Sequence, residues 1–191
     1  MNNPEYVKVS SEKYKINTDF RVAIDCNEIA MDESIGEYEK ALAVIYKLFG
    51  DKGLNDFSNH QKLLELGQRY LRLDKEPEDT KEEPDMNFKQ DMDYIEASFM
   101  SDYQIDLSST KMHWWTFYNL LNGLSNSEFG NCCVLNRIRN LRSYDVSQIK
   151  DRKEKEKIIK AKKQVALKKE IKLTKEQEES IKKFNEMMNG A

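Results

Sequence analysis

The chain has 191 residues, enough for one domain with an appendage, and at 39% hydrophobic and 34% charged it is apolar-poor and charge-rich for a globular protein. With 7 Gly and 3 Pro it has too few of either for a glycine-rich nucleotide loop, an all-β sandwich, a collagen or a proline-rich linker, which leaves a mainly helical protein diluted by some charged segment. The net charge of -3 hides an uneven spread: residues 150–186 hold 14 Lys/Arg against 8 Asp/Glu, a net of +6, and residues 1–149 hold 17 against 26, a net of -9.

No apolar run approaches the roughly 18–20 residues that span a bilayer. Met1-Asn2-Asn3-Pro4-Glu5 has neither the basic start nor the apolar stretch of a signal peptide, so a cytosolic protein is expected. Cys26, Cys132 and Cys133 are odd in number and two are adjacent. They form neither a disulfide framework nor a zinc-ligand spacing and read as buried free thiols.

Residues 5–16 alternate apolar and polar on both sides of Ser10-Ser11-Glu12-Lys13, with Tyr6, Val7, Val9, Tyr14 and Ile16 as strand formers, which predicts a short β-hairpin. A lone hairpin is marginal in water and must pack on something. Asn17-Thr18-Asp19 offers caps for a helix to about residue 30. Ser34 with Glu37 fits a capping box for the next helix, whose stripe Ile35, Tyr38, Leu42, Ile45 and Phe49 predicts its buried face and which Gly50 stops. Ser58 with Gln61 fits a second box, opening a helix faced by Leu63, Leu64, Leu66, Tyr70, Leu71 and Leu73 that pairs with the preceding one.

Asp74 to Asn87 carries seven acidic residues, two lysines and two prolines, and reads as a flexible acidic linker or surface loop. Met92, Ile95, Phe99 and Tyr103 follow along one helical face. Met112 to Leu124, with both tryptophans, is apolar nearly all round and predicts a buried central helix. Ser125 with Glu128 fits a third box, for a helix through Phe129, Cys132, Cys133, Leu135, Ile138 and Leu141. Asp151 to Glu170 reads as an exposed, extended helix. Thr174 with Gln177 fits a fourth box, before a narrow stripe of Ile181, Phe184 and Met188 that is either a docking helix or a solvated tail.

Chemistry-bearing residues are few. His60 and His113 have no Cys nearby and no second His at helical spacing. His113 reads as a core-edge histidine with a satisfied hydrogen bond. Asp91 and Asp93 form a D-x-D, but two residues apart on a helix they point in different directions, and acidic residues there suit the helix dipole. No phosphate loop, dinucleotide fingerprint, nucleophile elbow or H-E-x-x-H occurs. The basic tail interleaves lysine with glutamate and has no aromatic residue before Phe184, which disfavours nucleic acid and favours a solvated helix or a protein-docking arm.

Several phrases carry a resemblance. Tyr14-Lys15-Ile16-Asn17-Thr18-Asp19-Phe20-Arg21, then Asp93-Tyr94-Ile95 with Ala97-Ser98-Phe99, Tyr103-Gln104-Ile105-Asp106-Leu107, Met112-His113-Trp114-Trp115-Thr116-Phe117, Leu120-Leu121-Asn122-Gly123-Leu124 and Ile138-Arg139 occur in order. Together they resemble the family named for gene product fifteen of tailed phages and prophages of Gram-positive bacteria, over roughly residues 14–170. The resemblance implies a tail assembly chaperone for a long non-contractile tail. Such a protein coats the tape measure, recruits tail-tube subunits and leaves before the virion is complete. The family brings no catalytic motif.

The expectation is therefore a mainly α protein with an N-terminal β-hairpin, in which residues 1–147 form a helical body with an acidic loop at 74–87 and residues 148–191 form a charged helical arm. The expected role is non-enzymatic, with no cofactor and no metal, in the host cytoplasm. The expected partners are the tape measure protein and the major tail protein, with a homo-oligomer as a further option, and neither a membrane nor nucleic acid. Tyr118, Ile181, Phe184 and Met188 are the candidate partner-binding residues. The alternatives are a structural virion component (tail completion or connector), a nucleic-acid-associated phage protein using the basic arm, and an uncharacterised enzyme using Asp91, Asp93 or His113.

Overall fold

A computed structural model describes residues 3–77, 84–126 and 132–168. Strands β1 (Tyr6–Val9) and β2 (Glu12–Lys15) pair antiparallel, with Val7 opposite Tyr14 and Val9 opposite Glu12. Alternation sorts the side chains: Val9, Tyr14 and Ile16 are buried, whereas Tyr6, Lys8, Lys13 and Lys15 face water. The Tyr14 hydroxyl donates to Asp56, which ties the hairpin to the helical layer it needs for stability.

Helix α1 (Phe20–Met31) starts as expected, with the Asp19 carboxylate accepting from the Arg21 amide at 3.0 Å. Helix α2 (Glu37–Leu54) starts differently. Ser34 bonds to Asp32 instead of capping, and the Gly36 amide donates to the Glu39 carboxylate at 2.6 Å. Its buried face also differs from the expected stripe. Ile45 and Phe49 are buried, but Val44 and Leu48 complete the face, while Tyr38 is 69% exposed. Val44 and Leu48 are as apolar as the residues they displace, so the stripe was ambiguous by rotation about the helix axis. Gly50 breaks the helix without ending it: its φ of 64° is left-handed, and one more turn follows. Just before the break, the Leu48 carbonyl accepts from the Asn17 amide at 2.7 Å.

A 3-10 turn (Phe57–Asn59) leads into α3 (His60–Leu71), and Ser58 bonds to Asp56 rather than forming a box with Gln61. Helices α2 and α3 pack as the expected pair. They approach closely at Gly67, where a Cβ would sit 2.9 Å from Leu48 Cδ1. Of the acidic stretch, residues 78–83 lie outside the described residues. At its ends Asp74 pairs with Arg69 at 2.6 Å and Asp85 with Arg139 at 3.0 Å, and Met86 and Phe88 pack on the core.

Helix α4 (Met92–Tyr103) ends in a left-handed Gln104, and α5 (Trp114–Asn122) is the centre of the protein. The Phe117 ring stacks on Phe20 at 4.4 Å, on Phe99 at 5.2 Å and on Trp114 at 5.8 Å. Each fully buried aromatic of this kind contributes roughly 1.5–3 kcal/mol by burial alone. Two carbonyls at the end of α3 accept from indoles: Tyr70, which also takes the Leu73 amide, from Trp115, and Leu71 from Trp114, both at 3.0 Å.

Helix α6 (Val134–Ser143) begins later than the sequence suggested, because Cys133 is its cap, its sulfur accepting from the Asn136 amide at 3.4 Å. The Ser125 amide meets the Asp102 carboxylate at 2.8 Å; Glu128 and Phe129 lie outside the described residues. A second 3-10 turn (Val146–Gln148) precedes α7 (Arg152–Val165), capped by Asp151. Helix α7 packs on α6 and buries no residue. Among the described residues no helix is long and apolar enough to cross a membrane.

Candidate functional site

The N-terminal and central phrases of the sequence meet in space. The Phe20 amide donates to the Met112 carbonyl at 3.0 Å and the Trp114 amide to the Thr18 carbonyl at 2.7 Å, so 18–20 and 112–114 run antiparallel. Arg21 reaches over this junction. Its guanidinium donates to the Leu107 carbonyl, to Ser108 at 3.3 Å and to Thr110 at 3.4 Å, and pairs with Asp19 at 3.2 Å. One planar fork thus collects three carbonyls of a loop that has no helix or sheet to satisfy them.

A groove of about 1010 Å³ opens along this junction. Residues 15–19 and 111–113 line one side, and residues 46–51, around the Gly50 break, line the other. Its charges are mixed. Asp19 is paired with Arg21, and Lys47, whose pKa is raised by its bond to Asp25, holds that carboxylate at 2.7 Å. Tyr46 stands half out of α2 at its edge.

The residues that could carry chemistry are committed elsewhere. His113 caps α5: Nδ1 accepts from the Trp115 amide at 3.1 Å, which fixes the proton on Nε2, and Nε2 donates to the Pro4 carbonyl at 3.1 Å. This is the satisfied core-edge histidine the sequence suggested. His60 bonds to the Leu54 carbonyl at 2.8 Å. Burial pushes the Cys26 thiol up to about 12, far from a reactive thiolate. Asp91 and Asp93 part company: Asp93 is exposed, while Asp91 is 0% exposed and takes both Nη atoms of Arg142 at 2.7 Å and the Asn87 amide at 3.0 Å. No group of three His, Cys, Asp or Glu among the described residues could hold a metal ion.

Of the candidate partner-binding residues, Tyr118 is half-buried, edge-on to Trp114 at 5.4 Å, with the Lys75 ammonium 5.9 Å from its ring. Ile181, Phe184 and Met188 lie outside the described residues. Sequence reasoning missed a different set. Met31, Tyr38, Tyr46 and Phe57 are large apolar side chains exposed on α1, α2 and the turn after them. Tyr38 was assigned to the buried stripe, and Tyr46 lay next to it in a run too apolar for its outward face to be told apart.

The family described as Bacteriophage Gp15 protein matches residues 2–167. The chain belongs to this family. The match takes in the junction, the groove and α7 together, in line with the phrases that carried the resemblance. No curated protein and no solved structure matches the chain. It is a phage protein, mainly helical with an N-terminal hairpin, and its junction residues Asp19, Arg21 and His113 hold the body together.

Proposed function

We propose that this phage protein is a tail assembly chaperone. In this reading it acts without catalysis in the host cytoplasm, binds the tape measure, recruits tail-tube subunits to a long non-contractile tail, and leaves before the particle is complete. One observation carries the reading: His113 and Asp91 are engaged within the fold, while Met31, Tyr38, Tyr46 and Phe57 are turned outward on a helical body. Isolated exposed apolar residues are ordinary. Four on consecutive elements, from 50% to 76% exposed, give a helix-rich partner something to cover.

The test is direct. From an infected lysate the tagged protein is expected to recover the tape measure, and Tyr38→Ala with Tyr46→Ala to recover less. Purified particles are expected to lack it. Stoichiometric copies in mature particles would instead establish the structural virion component.

A nucleic-acid role finds less support in α7. Its first three lysines alternate with Glu154 and Glu156, it carries no aromatic side chain for a base to stack on, and its one arginine, Arg152, is paired with Glu156 at 2.9 Å. Salt-sensitive DNA binding lost on deleting residues 150–191 would reinstate that role.

A further inference from the structure

We infer that the seat of α7 on α6 is a docking site for an amphipathic helix of a partner protein, which α7 occupies until it is displaced. Helix α7 is an unusual tenant, because none of its residues is buried. Ile158, Ala161 and Val165 fall on one face at helical spacing and are half-covered. On the body side Ile138, Leu141, Val146 and Ile149 are half-buried but lie outside the apolar cluster that forms the main core. The seam is therefore a second, shallow apolar contact beside the core.

What fastens α7 is mostly blind to its sequence. Arg142 Nε donates to the Val165 carbonyl at 2.6 Å, at the end of the helix. The Gln90 side-chain amide then pairs both ways with the Lys168 backbone, donating at 3.0 Å and accepting at 2.8 Å. These contacts read a helix C-terminus and the extended residues after it, not side chains. Arg142 is held in place independently, since both its Nη atoms grip the buried Asp91. Removing α7 leaves that fork where it is, with Nε available to another helix end.

The kind of helix is set by other contacts, at the rim of the seat. Lys162 reaches the Tyr144 carbonyl, and at the rim Asp145 has its pKa lowered first by the Ser147 amide and hydroxyl and then by the nearby charges of Lys162 and Lys155. The seat suits an amphipathic helix with a lysine-bearing flank. A 14-residue helix with nothing buried also sits near the low end of local stability, where exchange with a competitor is feasible.

This rests on the protein-binding reading above, but its test uses no tail component besides this chain, so the two can fail separately. A labelled peptide of residues 151–168 is titrated into the full chain and into Ile158→Asp/Val165→Asp, which weakens the resident helix and leaves the seat intact. Binding at least tenfold tighter to the variant, reversed by adding Gln90→Ala, is the expected result. Equal binding, or no response to Gln90→Ala, overturns the inference. Hydrogen exchange of the unaltered protein guards against misfolding of the variant: α7 amides are expected to exchange well before those of α5. Equal protection, or α7 protection that rises with protein concentration and so points to a second copy in the seat, also overturns it.

Discussion

The junction of residues 18–21 with 107–114 joins segments far apart in sequence, the seam of α6 with α7 joins consecutive helices, and the two are held by different means. At the junction, backbone pairs with backbone and buried aromatic rings stack behind it. At the seam, side chains hold carbonyls over a shallow apolar strip, and a single buried ion pair roots the arrangement. The first design gives a unit that unfolds only with the whole body. The second gives a part that can leave while the body stays folded.

The largest effects separate the two. Phe117→Ala removes a ring that touches three others and is expected to destabilise the whole body by about 3–5 kcal/mol. Asp91→Ala leaves Arg142, only 10% exposed, without its partner, and is expected to be about as damaging, roughly 3–5 kcal/mol. Urea unfolding measures both. They diverge on repair. In Asp91→Leu/Arg142→Met no charge is stranded, so most of the lost stability is expected to return. The fork that holds Val165 is gone, however, and α7 exchange is expected to stay fast. A double variant that restores α7 protection as well would show that Arg142 is not what holds the arm.

Gly50→Ala tests the junction from the α2 side. Open space surrounds the site, so no clash is expected, only the left-handed φ of 64°. With ψ at -159° this conformation is essentially confined to glycine, so the strain is expected to cost about 1–3 kcal/mol, read as a shift of the urea midpoint at constant slope.

How much of this was legible follows from how local each feature is. Alternation over residues 5–16 gave the hairpin, and Asp19 at the head of a helical pattern gave its own cap. Spacing also placed Ile95, Phe99 and Phe117 in the core. The α2 face was missed because Tyr38, Val44, Tyr46 and Leu48 are all apolar, and only the neighbouring helices decide which turn inward. The boxes expected at Ser34 and Ser58 do not form, because Asp32 and Asp56 take the same hydroxyls. The Asp91–Arg142 pair was out of reach for another reason. Its partners are 51 residues apart, and nothing local marks one exposed-looking aspartate in a D-x-D as buried.

A pH experiment sharpens the junction side further. Asp56 has its pKa lowered to about 2 by the Tyr14 hydroxyl first, then by Asn59 and Ser58. A depressed carboxylate stabilises the fold fully above its unfolded value of 3.8, and that contribution fades as pH falls towards 2. Tyr14→Phe is expected to be less stable than the unaltered protein at pH 6, with the gap narrowing between pH 4 and pH 2. A gap that does not change with pH would place the effect in packing and not in the hydrogen bond.

The smallest expected effect concerns Gln104, which lies between the two regions. It ends α4 with a left-handed φ of 56°, so its amide can return to the Met100 carbonyl at 3.1 Å. Glycine takes that conformation without a Cβ penalty but has more freedom to lose from the unfolded chain. The Cβ penalty of about 1–2 kcal/mol outweighs the roughly 0.5–1 kcal/mol of extra freedom that glycine loses, so Gln104→Gly is expected to stabilise by up to about 1 kcal/mol. Helix α4 carries the core through Ile95 and Phe99 and supports α6 through Ser98, whose hydroxyl accepts from the Leu135 amide at 3.0 Å. A gain at Gln104 should therefore slow exchange in the body and leave α7 exchange unchanged, because the arm opens without α4 unfolding.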